Sequence, residues 1–102
     1  MRITEYQLKS IKEVFVQYFL PEDKIWLFGS RADPRKKGGD IDLYIETNLE
    51  NLTKTIQLKI KFLVELKQRI GDQKIDVIIK NIQSKTHLPI YDEAKATGIE
   101  LI

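Results

Sequence analysis

The sequence predicts an α/β (α+β) domain, a small mixed β-sheet of three to four strands with helices packed on it. Three observations carry that expectation. Residues 5 to 20 and 49 to 70 hold apolar side chains at helical spacing. Residues 25 to 28 and 74 to 80 are short apolar runs, and residues 40 to 46 alternate strictly between apolar and polar. Helical and strand patterns follow one another within 102 residues, the order expected of one layered domain spanning residues 1 to 102.

The elements can be justified in turn. Thr4 and Gln7 have capping-box spacing, and Leu8, Ile11, Val14, Phe15 and Tyr18 follow at helical period until Pro21 forbids continuation. Ile25, Trp26, Leu27 and Phe28 are apolar on both faces and stop at Gly29, the pattern of a buried inner strand. Residues 31 to 39 contain proline, two glycines and four cations without periodic apolar positions, so they read as a short helical turn and an exposed loop.

In residues 40 to 46, Ile41, Leu43 and Ile45 share one face while Asp40, Asp42, Tyr44 and Glu46 share the other. The long helix over 49 to 70 carries Leu52, Ile56, Ile60, Leu63, Val64 and Leu66 or Lys67 at helical spacing, and Gly71 stands where a helix C-terminal glycine belongs. Residues 74 to 80 form a third strand, expected to run parallel to the second because a helix joins them. Residues 88 to 96 read as a helix ending near Gly98, with 99 to 102 as an edge strand.

Composition narrows the function. Seventeen Lys plus Arg against fifteen Asp plus Glu give a net charge of +2, too little for a protein that grips nucleic acid mainly through phosphates. Without cysteine there is no disulfide or thiolate chemistry, and the single His87 cannot build a histidine-rich metal site, so any metal is held by oxygen. No basic, apolar leader opens the chain and no apolar run reaches membrane-spanning length. A cytoplasmic protein is expected.

Residues two apart on a strand point the same way, so Asp40 and Asp42 aim two carboxylates into one space. Such a pair suits divalent ions, since Mg²⁺ favours one or two carboxylates with phosphate oxygens and water. Taken alone, alternating polar residues more often mean a solvated face. Asp76 lies in the apolar run 75 to 79, where an isolated carboxylate is costly to desolvate, and a third strand beside the second brings it toward the other two. Gly29 and Ser30 follow an apolar strand and open a helical turn, where backbone N–H groups can approach a phosphate.

The segment FGSRADPRKKGGDIDLYIE resembles the signature of the DNA polymerase beta type nucleotidyltransferases: Gly-Ser, a nine-residue spacer, an Asp-x-Asp pair and a later third Asp. The likeness is closest to the minimal nucleotidyltransferases, MNT proteins, antitoxin partners of HEPN toxins. It implies the polymerase beta-like fold and roles residue by residue. Gly29 and Ser30 would hold the β and γ phosphates of an incoming nucleotide, with Arg31 assisting. Asp40 and Asp42 would hold two Mg²⁺ ions, and Asp76 would bind one of them and activate the acceptor hydroxyl. Gly39 departs from the serine often found before the first Asp, and the spacer is unusually basic.

Larger relatives carry a second domain for the acceptor, so the resemblance implies a partner chain here. It implies transfer of AMP from ATP to a tyrosine of a HEPN-type toxin; a non-catalytic, nucleotide-binding antitoxin is the alternative. Arg35, Lys36 and Lys37 read as a solvated loop, or equally as a phosphate or partner contact. Tyr6, Trp26, Tyr44 and Tyr91 read as core or interface residues. His87 and Lys80 read as surface residues.

Overall fold

The computed structural model describes residues 2–33 and 39–102. Arg35, Lys36 and Lys37 therefore lie outside the described residues. The element order is α1 (Glu5–Tyr18), β1 (Lys24–Phe28), a 3-10 turn (Gly29–Arg31), β2 (Ile41–Thr47), α2 (Leu52–Ile70), β3 (Ile75–Asn81), α3 (Pro89–Thr97) and β4 (Ile99–Glu100). The sheet runs β3-β2-β1-β4. β1 is antiparallel to both β2 and β4, and β2 is parallel to β3, as a helical crossover requires. The mixed sheet and the parallel pair agree with the sequence expectation.

Local chemistry sets the element ends. Thr4 Oγ1 accepts from Gln7 N–H and Gln7 Oε1 from Thr4 N–H, both at 3.0 Å, which completes the capping box of α1. Asn51 caps α2 by accepting from Lys54 N–H, and Gly71 ends it at φ +93°.

Each face of the sheet has its own core. Odd-numbered residues, including Ile25, Leu27, Ile41, Leu43, Ile45 and Val77, pack with Ile11, Val14, Phe15, Phe62 and Leu66 beneath α1 and α2. Even-numbered Trp26, Phe28 and Tyr44 pack with Tyr91 and Ala94 of α3. The face expected to be polar thus carries a fully buried Tyr44, because α3 lies over its middle. Tyr6 stays exposed.

One apolar stripe differs from its expected place. Leu52, Ile56, Ile60 and Val64 are 72%, 51%, 56% and 54% exposed, while Thr55, Phe62 and Leu66 are the buried residues of α2. Helical spacing identified an apolar face, but α2 has two, and the sheet takes the one centred on Phe62.

A buried carboxylate joins β1, β2 and the end of α1. Asp23 accepts from Thr47 Oγ1 at 2.6 Å, Asn48 N–H at 2.9 Å and Leu20 N–H at 3.0 Å. Each bond to a charged group contributes about 1.5–3 kcal/mol, and removing the acceptor orphans buried donors. Asp23→Ala is therefore expected to destabilise the domain by about 2–4 kcal/mol, read as a lower urea midpoint at unchanged m-value. An unshifted midpoint would show the network to be dispensable.

Candidate functional site

The register of three strands builds the site. On the even-numbered face Phe28, Asp42 and Asp76 form one row across β1, β2 and β3; Trp26, Tyr44 and Ile78 form the next; Lys24, Glu46 and Lys80 the third. α3 covers the middle row through Tyr91 and Ala94. The first row is open at Asp76, which is exposed, and at Asp42, which is half-buried, while Phe28 at its other end is buried against α3. Neighbouring strands lie about 4.8 Å apart, so the two carboxylates of that row stand side by side.

Their charges interact. The Asp42 carboxyl is held above its ordinary range by burial first, then by the charges of Asp76 and Asp40 and a hydrogen bond with Asp76, against an opposing pull from Lys74. Asp40, just before β2, forms an ion pair with Lys74 Nζ at 3.5 Å. Lys74 therefore serves Asp40 rather than Asp76. Among the described residues no group of three acids is gathered as a metal site. The Asp42–Asp76 pair nevertheless fits a hard divalent cation, which needs only one or two carboxylates and would relieve their mutual repulsion.

The Gly29 turn abuts this pair. Gly29 has φ +72°, and a Cβ there would run into Asp42 Oδ2 and lie 3.2 Å from its Cγ. Glycine is required twice over, for the left-handed backbone and for the space. The turn it opens carries Ser30 and Arg31.

Arg31 sits differently from a free phosphate ligand. Its Nη1 donates to Arg2 O at 2.9 Å and its Nη2 to Gly39 O at 2.9 Å and Gln73 Oε1 at 3.5 Å. Arg2 in turn donates through its backbone N–H to Arg31 O and through Nη2 to Ser30 O. The guanidinium thereby ties the turn to the N-terminal segment and to the start of β2. Arg2 is a positioning residue that sequence reasoning did not single out; no local motif connects it to a turn 29 residues away.

At the far end of the same face, Tyr44 OH donates to Glu46 at 2.7 Å, and Lys95 pairs with Glu46 at 3.3 Å. Burial, then the bond and charge of Glu46, push the Tyr44 hydroxyl well above its ordinary range, so it stays protonated as a donor. His87 and Lys80 are surface residues: His87 Nε2 lies 2.8 Å from Asp92, and Lys80 Nζ lies over the Tyr91 ring.

The arrangement offers two acids, a glycine turn against them and open space above Asp76. The family model described as polymerase beta, nucleotidyltransferase matches residues 9–102. No curated protein matches the chain.

Proposed function

Because the chain belongs to the polymerase beta nucleotidyltransferase family, we propose that it transfers AMP from ATP to a tyrosine hydroxyl of a HEPN-type partner toxin in the cytoplasm and so acts as its antitoxin. One observation carries the catalytic half of this reading: Asp42 and Asp76 are register partners on the open end of a sheet face, with Gly29 packed against Asp42. The MNT likeness of the sequence supports the acceptor and the partner. Among the described residues no helix is long and apolar enough to cross a membrane.

Asp42 and Asp76, with Asp40 released from Lys74, would hold Mg²⁺, which when bound neutralises triphosphate charge. The remaining work is positioning. Gly29 and Ser30 present the first N–H groups of the turn, which the turn itself does not use, to the β and γ phosphates. Arg31 and Arg2 hold that turn in place. The acceptor oxygen attacks the α phosphorus, its new bond forms as the bond to pyrophosphate breaks, and its proton passes to the exposed Asp76 carboxylate. A tyrosine hydroxyl, with an ordinary pKa of about 10, needs such a base.

Intact-mass spectrometry of the partner after incubation with this chain, ATP and Mg²⁺ tests the reading. The expected result is a gain of one or more AMP masses on a tyrosine, lost with Asp76→Asn. A neutralised but unmodified partner would instead establish the binding-only antitoxin, and full modification by Asp76→Asn would remove Asp76 as the base.

A further inference from the structure

Four charged side chains form a block at the open end of the sheet face. β2 and β3 pair Ile41 with Ile75 and Asp42 with Asp76, and the same register carried one residue back sets Asp40 opposite Lys74. Ile41 N–H donates to Lys74 O at 3.0 Å, which holds the chains together at that point. All four charged residues are even-numbered and belong to the carboxylate face. Three corners of the block are acids. The fourth is Lys74.

Lys74 is the counter-charge of this block. Its Nζ lies 3.5 Å from Asp40 Oδ2, and its charge pulls the Asp42 carboxyl down against the burial and the neighbouring acids that raise it. The pair is loosely held, with the Lys74 side chain 69% and the Asp40 side chain 45% exposed. Exposed pairs of this kind contribute little to stability, so a change of partner costs little. A divalent cation on Asp40 repels the ammonium and supplants it.

The released ammonium has another anion within reach. The Gly29 turn is tied to this same end of the block, because Arg31 Nη2 donates to Gly39 O and Gln73 Oε1, the residues just before Asp40 and Lys74. Gly29 itself packs on Asp42. A triphosphate lying between the acids and the turn therefore passes the Lys74 corner. Arg31 has both terminal nitrogens engaged and is not free to meet it. Lysine suits the task, as a compact charge with three donors on a flexible stem.

We propose that Lys74 is an exchangeable cation of the site: it holds Asp40 while the site is without metal, and passes to the triphosphate when a divalent cation takes that carboxylate. This inference rests on the transfer reading for its ligands. Its consequence is a pair of opposite effects. Lys74 competes with metal when nucleotide is absent and assists nucleotide when metal is present. By linkage, nucleotide draws Lys74 away and so raises metal affinity more in the wild type than in a chain lacking this charge.

The probes, added to the whole chain, are Mn²⁺ alone, followed by the spin signal of the free ion, and an ATP analogue with a methylene between the α and β phosphorus atoms. Lys74→Gln removes the charge and keeps the backbone oxygen that the fold uses. It is expected to bind Mn²⁺ about three- to fivefold more tightly than the wild type without nucleotide. With saturating Mn²⁺ it is expected to bind the analogue about tenfold more weakly. Lys74→Arg, which keeps the charge, should return both affinities toward the wild type. Unchanged or weaker Mn²⁺ binding by Lys74→Gln overturns the exchange, and so does unchanged binding of the analogue, which would leave Lys74 a counter-charge to Asp40 alone. Opposite shifts in the two affinities without AMP transfer to the partner sustain the exchange and refute the transfer reading. Transfer by a wild type whose two affinities match those of Lys74→Gln does the reverse.

Discussion

Asp42→Asn is expected to lower Mg²⁺-dependent nucleotidyl transfer by about a hundredfold or more while leaving the fold intact. The amide keeps the volume of the carboxylate and can still hydrogen-bond Asp76, but it cannot bring the charge that holds a divalent cation. The same change relieves repulsion. Asp42 is pushed toward its protonated form by burial and by Asp76 and Asp40, so the folded chain binds that proton more readily than the unfolded one. The ionised side chain therefore costs stability above its folded pKa, and the cost vanishes as pH falls through that value toward the ordinary carboxylate range.

Two measurements follow from this sign. Without metal, the variant is expected to melt at or above the wild-type temperature at neutral pH, and acidification closes the gap. With Mg²⁺ the wild type gains stability by linkage and the variant gains less. A variant that unfolds, or one that transfers nucleotide at the wild-type rate, would show that Asp42 is not a metal ligand.

The legible and illegible parts of this chain divide by range. The alternation of residues 40 to 46 identified β2, its two faces and the placement of Asp42, because a period of two leaves little freedom once one face is apolar. The approach of Asp76 to Asp42 followed from a parallel β2–β3 pair, which the intervening helix required, while the register that sets the two directly opposite comes from the structure. Its exposure did not follow: the apolar run around it suggested desolvation, whereas α3 covers the Tyr44 row and Phe28 and leaves Asp42 and Asp76 open. The stripe of α2 misled for a related reason. Leu52, Ile56 and Ile60 have perfect helical spacing, and only the docked sheet decides that Phe62 goes inward beside Leu66, the one member of the expected stripe that is fully buried. Asp23 with Thr47, and Arg2 with Arg31, join residues 24 and 29 positions apart; no local pattern encodes such pairs.

Gly29→Ala is expected to damage both stability and transfer, and the way the two losses combine identifies the cause. At φ +72° a non-glycine residue costs about 1–2 kcal/mol, and the new methyl must also displace the Asp42 carboxylate that occupies its space. For a domain of this size each kcal/mol lowers the melting temperature by about 4–8 °C, so a fall of roughly 5–15 °C is expected. Activity should drop about a hundredfold, the effect of moving a reacting group by an ångström. If displacement of Asp42 is the route, the double variant with Asp42→Asn loses no more transfer activity than Asp42→Asn alone, because the group being displaced no longer matters. Independent, multiplying losses would instead show that the substitution acts through the phosphate contacts of the turn and not through Asp42, and a fully active Gly29→Ala would separate the turn from the site altogether.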